Sequence, residues 1–245
     1  SSPPSQSPAV VVARGQAALE TGDLRLLERC VQSLLDEDPW EWRAVWLAGL
    51  GALATKDYRN AQSAFNAVYG QLPGELAPKL ALALACELGG EFELAESLYQ
   101  TCASTDQAYL TPAAFGLSRL RSNRGDLAGS LQALSLVPST SRGYPESLRL
   151  RAARMVSLAA DTDAITQAMA AIERAPLDPS EVRGYQATLW ERASRLAEQR
   201  GPITIAGTTM DAAALRARLA DAYRELARFS DDPGVRAAWV DLANS

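Results

Sequence analysis

The chain has 245 residues, long enough for one helical-repeat array with a cap or for two small domains. Its 24 basic and 29 acidic residues leave a net charge of −5 and a pI near 5.0, which argues against a nucleic-acid partner because phosphate binding wants a basic face. Histidine is absent, which removes Ser-His-Asp and Cys-His catalysis, histidine general bases and most zinc sites in one step.

Residues 1–8, Ser1-Ser-Pro-Pro-Ser-Gln-Ser-Pro8, have neither the basic n-region nor the apolar h-region of a signal peptide and read as a linker from a longer protein. Helices are then predicted over 9–21 and 24–37, closed by Asp38-Pro39 because the residue before proline is pushed out of the α region. A second pair spans 40–55 and 58–71 and stops at Pro73-Gly74. The third covers 75–89 and 92–103, the fourth 111–123 and 127–136, and a weaker fifth 145–159 and 162–174, with Pro176 and Pro179 ending it. Past Pro179, Val182, Tyr185, Leu189, Ala193 and Leu196 recur at helical spacing and predict a long helix ending near Gly201. A short β-branched loop, Pro202 to Gly207, holds an extended strap near 203–205, the only extended segment expected, and leads to a helix carrying Leu215, Leu219, Ala222, Leu226 and Phe229. Asp232-Pro233 is an N-cap followed by proline at the first helical position, and it opens a last helix with Val235, Trp239 and Leu242.

The turns between these helices recur. Gly22-Asp23, Lys56-Asp57, Gly90-Glu91, Gly125-Asp126 and Ala160-Asp161 lie 34, 34, 35 and 35 residues apart, the period of a tetratricopeptide helix-turn-helix unit. With the turn residue as position fifteen, position eight is Gly15, Gly49, Ala83, Ser118 and Ala153, small enough for close helix approach. Position twenty is Ala61 and Ala95 in units two and three, one turn before Phe65 and Tyr99, whereas Leu27, Ser130 and Ile165 mark the degenerate units. The fold expected is all-α: a tetratricopeptide-type helical-repeat solenoid over 9–178, with a C-terminal capping helical subdomain over 179–245 that covers its last apolar face.

Chemistry-bearing motifs are scarce. Cys30, Cys86 and Cys102 are widely spaced with no CxxC, so reduced cytosolic thiols in helix cores are expected rather than a metal knuckle. The longest apolar run, Leu80 to Cys86, is far short of the roughly 20 residues of a membrane span. No phenylalanine follows an aspartate, and both lysines, Lys56 and Lys79, fall in helical units, so kinase phosphotransfer elements are missing. Gly49-Leu-Gly51-Ala-Leu-Ala54 matches a dinucleotide fingerprint in letters only; with no strand before it, small residues at a helix contact explain it. No cofactor is expected.

Two surfaces are candidate sites. Trp40, Trp42 and Trp46 at one helix start serve either as core between the first units or as a partner or self-association surface. The inner face of such an array is lined by the first helix of each unit, at its second, fifth, sixth, ninth and neighbouring positions. There Arg43 and Trp46, Arg119 and Asn123, and Arg151 and Arg154 form a candidate groove, gripping oxyanions or standing as a solvated charge face.

Several stretches also resemble a known family. Trp40-Glu-Trp-Arg-Ala-Val-Trp46, Asp57-Tyr58 with Phe65, Tyr99-Gln-Thr101, Ser104-Thr-Asp106, Ala113-Ala-Phe-Gly-Leu117, Val137-Pro-Ser-Thr-Ser-Arg142 and Trp239-Val-Asp-Leu-Ala-Asn244 are similar to the C-terminal tetratricopeptide domain of the actinobacterial serine/threonine protein kinase G family. The specific part is Pro73-Gly-Glu-Leu-Ala-Pro-Lys-Leu-Ala-Leu-Ala83, which generic repeats do not require. The resemblance implies a cytoplasmic kinase that phosphorylates a forkhead-associated regulatory protein. It also implies that the present chain is the non-catalytic regulatory domain, packing on the kinase domain of the same polypeptide, positioning partners or forming a homodimer. Catalytic and metal residues of the family have no counterpart here. The alternatives are a free-standing adaptor that binds a peptide tail in its groove and, with little in its favour, an enzyme hidden in the C-terminal subdomain.

Overall fold

The computed structural model describes residues 7–245; the expected linker over 1–8 falls mostly on residues 1–6, outside the described residues. The described residues form thirteen helices and one two-stranded hairpin. Ten helices come first: α1 (Pro8–Thr21) paired with α2 (Leu24–Glu37), α3 (Trp42–Ala54) with α4 (Tyr58–Gln71), α5 (Leu76–Gly89) with α6 (Phe92–Thr105), then α7 (Gln107–Asn123) and α8 (Leu127–Leu134) in succession, and α9 (Tyr144–Leu158) paired with α10 (Thr162–Arg174). Then follow α11 (Pro179–Arg200), strands β1 (Ile203–Ile205) and β2 (Thr208–Met210), α12 (Ala212–Phe229) and α13 (Pro233–Asn244). The chain divides into two compact units, Ser1–Leu120 and Arg121–Ser245.

The joints explain the period. At each of the first four, one residue turns left-handed, and at three of them the next residue caps the following helix, whereas Glu91 at the third makes no side-chain cap bond. Gly22, Gly90 and Gly125 have φ of 73°, 88° and 85°, and Lys56 adopts 62° at the equivalent place. The Gly22 and Gly90 amides return to the last carbonyls of α1 and α5. Asp23, Asp57 and Asp126 then accept the Leu26, Asn60 and Gly129 amides, satisfying donors that a helix start leaves orphaned. The fifth joint is built differently. Ala160, at the equivalent place, does not have a positive φ, and Ala159 before it is extended. Arg192 of α11 reaches back to donate to the carbonyls of Val156 and of Ala159, the latter at 3.0 Å.

Packing in the first unit depends on glycines facing large side chains. An added Cβ at Gly49 would stand 2.7 Å from the Phe65 ring, and one at Gly51 would stand 2.8 Å from Leu27. The fingerprint-like run 49–54 is therefore a pair of helix contacts. Gly51 also explains how degenerate unit one tolerates leucine at position twenty: the neighbouring helix gives up its side chain there. Ala61, Phe65, Ala95 and Tyr99 are all buried, as the register predicts.

The second unit is centred on Ile165, Ile172, Leu189, Ala193, Ile205 and Leu215. Its hairpin pairs Ile203 with Met210, Thr204 with Thr209 and Ile205 with Thr208. Ala206 and Gly207 both have positive φ, 48° and 79°, the requirement of a tight two-residue hairpin turn. Ile203, Ile205 and Met210 point into the core, while Thr204 and Thr209 join hydroxyls outside at 2.8 Å.

Three local differences from the sequence expectation have simple causes. Trp40 is not helical, because its amide is taken by the Asp38 carboxylate in a turn, and α3 starts two residues later. Helix α7 begins at Gln107, where Asp106 accepts the Ala108 amide, and Pro112 lies inside it rather than near its start. The β-branched stretch after Gly201 is half of a hairpin, not a lone strap.

Candidate functional site: an apolar groove along the first helices

The first unit carries a groove of about 580 Å³ whose walls come from three consecutive first helices. Trp46, Leu50 and Leu53 supply the α3 wall, Ala77, Leu80, Ala81 and Leu84 the α5 floor, and Pro112, Phe115 and Arg119 the α7 wall. Spacings of three and four residues put each set on one helix face. Next to it, a stretch of about 470 Å³ runs on to Val12 and Gln16 of α1 and shares Trp46 and Ala77. Together they form one apolar trough along α1, α3, α5 and α7. Trp46 stands at the junction, its ring tilted 60° against Phe65 at 5.2 Å.

The arginines lining this trough are paired within the chain. Arg119 binds Glu87 through two hydrogen bonds, Nε to Oε1 at 2.8 Å and Nη2 to Oε2 at 2.9 Å. The buried Tyr99 hydroxyl donates to the same carboxylate at 2.6 Å. Burial first, and Glu87 second, push the Tyr99 phenol well above its usual value, and the same carboxylate holds the Arg119 guanidinium above its own. Arg43 forks onto Glu41 at 2.7 and 2.8 Å, and that hydrogen bond draws the Glu41 carboxyl below its usual range. Lys79 sits 5.1 Å over the Tyr69 ring.

The sequence candidates fall in different places. Trp46 and Arg119 share the main groove, and Arg43 and Trp42 line its neighbouring stretch. Asn123 ends α7, exposed. Arg151 and Arg154 lie on α9 in the second unit, where Arg154 donates to Ser130 at 3.2 Å and the buried Arg151 Nε has no acceptor among the described residues. Trp40 is 80% exposed, and Trp42, at the start of α3, is 38% exposed. Groove residues overlooked by the sequence reading are Leu50, Leu53, Leu80, Ala81, Leu84, Tyr109, Pro112 and Phe115. The signal for most of them was present: Trp46, Leu80 and Phe115 are position five of successive units, and Leu50, Leu84 and Arg119 position nine.

Repeating helix pairs with a groove along their first helices define a tetratricopeptide-type repeat protein. The fold recurs in the crystal structure of the MamA protein, with a TM-score of 0.52, 13% identity, and coverage of 80% of this chain and 97% of that one. It recurs also in a tetratricopeptide repeat protein from Parabacteroides merdae, with a TM-score of 0.54, 14% identity, and coverage of 97% and 84%. Residues 1–245 match the family described as protein kinase G tetratricopeptide repeat, and the chain belongs to that family. It is 34% identical over 236 residues to the serine/threonine-protein kinase PknG of Mycobacterium leprae, covering 94% of this chain and 30% of that protein. The PknG of Mycolicibacterium smegmatis is 33% identical over 237 residues, with 94% and 31% covered. The chain thus spans under a third of these kinases. Among the described residues, no helix is long and apolar enough to cross a membrane.

Proposed function

We propose that this chain is the non-catalytic regulatory module of a kinase G-like serine/threonine kinase, packing on the kinase domain of the same polypeptide and using its groove to position partners. The observation that carries this is the apolar trough at equivalent positions of consecutive units, a surface with the shape of a docking site and no chemistry of its own. The matched relatives are serine/threonine kinases, which supports an attached kinase domain, and the family resemblance implies its substrate, a forkhead-associated regulatory protein. The test is phosphorylation of that substrate by the full-length kinase with and without residues 1–245, and with Phe115→Ala. Deletion and substitution should both lower the rate, and the isolated chain should transfer no phosphate. Unchanged rates would sink the docking role, and phosphorylation by the isolated chain would sink the non-catalytic one.

Homodimerisation is favoured by one specific observation: Trp40 is held on a fixed turn and largely exposed beside the partly exposed Trp42. Sedimentation of the wild type across a concentration series should show association that Trp42→Ala weakens. A wild type that stays monomeric throughout would refute it.

A further inference from the structure

We propose that the groove takes a basic amphipathic helix from a partner protein, apolar stripe in the trough and Lys or Arg along its flanks. This rests on the docking reading above and names the partner's chemistry. Three observations converge on it.

The first is shape. Ala77 and Ala81 lie one turn apart on the α5 floor, between bulky Trp46 and Leu50 on one wall and Phe115 on the other. Small residues at that spacing leave holes for large apolar side chains, also one turn apart, which a partner helix presents on one face. The second is the matching of the cations. Arg119, Arg43 and Lys79 already face Glu87, Glu41 and the Tyr69 ring, so an acidic tail or chain-terminal carboxylate would have to displace a partner the chain already supplies. The rim carboxylate Glu75 is exposed and has no ion-pair partner among the described residues.

The third is the field. Residues 1–120, the groove-bearing unit, hold eight Lys/Arg against fourteen Asp/Glu, a net charge of −6. Residues 121–245 hold sixteen against fifteen, a net +1. The whole negative excess of the chain belongs to the groove-bearing unit. A unit of that net charge attracts cationic partners and repels acidic ones, an effect that salt screens.

The test uses the 245-residue chain and three fluorescein-labelled peptides of about 18 residues, roughly 27 Å of helix. One carries an apolar stripe with Lys/Arg flanks, one the same stripe with Glu flanks, and one the basic composition in scrambled order. Fluorescence anisotropy in physiological salt should show the basic amphipathic peptide binding at least about tenfold more tightly than either control, a difference of about 1.4 kcal/mol. Ala81→Gln and Phe115→Ala alter floor and wall without changing charge, and each should weaken that binding severalfold with helicity retained. Should one unfold the chain, the other decides. Equal affinity for the Glu-flanked peptide, equal affinity for the scrambled one, indifference to both substitutions, or no binding would each overturn the proposal. Self-association abolished by the same substitutions would assign the trough to a second copy and overturn it too. Loss of substrate phosphorylation in the full-length variants without basic-helix binding would keep the docking role and discard this partner. Binding with unchanged phosphorylation would do the reverse.

Discussion

Gly116→Ala sets two well-understood effects against each other. In an open helix the change stabilises by about 0.5–1 kcal/mol, because glycine gives up more backbone freedom on folding. At Gly116 the new Cβ would stand 2.4 Å from Cζ of Tyr99 and 2.6 Å from each of its Cε atoms. Recovering an ordinary contact of 3.4 Å or more means driving the ring away, yet the ring is 2% exposed and its hydroxyl is bound to Glu87. Overpacking of this kind costs about 1–3 kcal/mol. The steric cost exceeds the backbone gain, and a net loss of about 1–2 kcal/mol is expected. Urea unfolding followed by circular dichroism should show a lower midpoint at unchanged slope. In a Tyr99→Leu background, where the ring is gone, the same substitution should become neutral or stabilising. A single Gly116→Ala variant more stable than the wild type would refute the seating of Tyr99 against α7.

Lys56→Gly should raise stability by about 0.5–1 kcal/mol, because Lys56 holds φ 62° where a side chain costs energy; a lower thermal midpoint would contradict the assignment of that joint. Ala61→Asp should cost more than about 3 kcal/mol, since Ala61 is fully buried and an aspartate there has no partner; an unchanged midpoint would refute the register. Burial and Glu87 raise the folded-state value of the Tyr99 phenol above its unfolded one, so this contribution is intact below about pH 10 and is lost as the pH climbs through the raised value. Ultraviolet titration of phenolate should show a late-ionising tyrosine that Tyr99→Phe removes, and a profile unaltered by that substitution would exclude it.

Helix pairing was legible because each of the first four joints is closed by atoms a few residues apart: a left-handed residue at all four and an aspartate cap at three leave a signature in the sequence. The groove was legible in position but not in character. The rule that picked out Arg43 and Arg119 also marks Leu50, Leu80, Leu84 and Phe115, and attention to charge passed over the apolar majority. That both arginines face Glu41 and Glu87 depends partly on helix packing, since Glu87 and Arg119 are 32 residues apart and on different helices. The hairpin was half seen: β-branching marks Ile203–Ile205, but Ala206 in a positive-φ turn hides the return strand.

The four self-closing joints also make the array divisible at the level of the gene. A crossover between codons 22–23 and 56–57, or 56–57 and 90–91, would delete or duplicate thirty-four residues and still leave a left-handed residue to terminate each first helix. Only paired surfaces resist such editing, as where Gly51 gives way to Leu27. The fifth joint has no such freedom, because Arg192, 33 residues beyond Ala159, completes it. The front half is therefore closed joint by joint, whereas α9 and α10 are joined with the help of a side chain from α11.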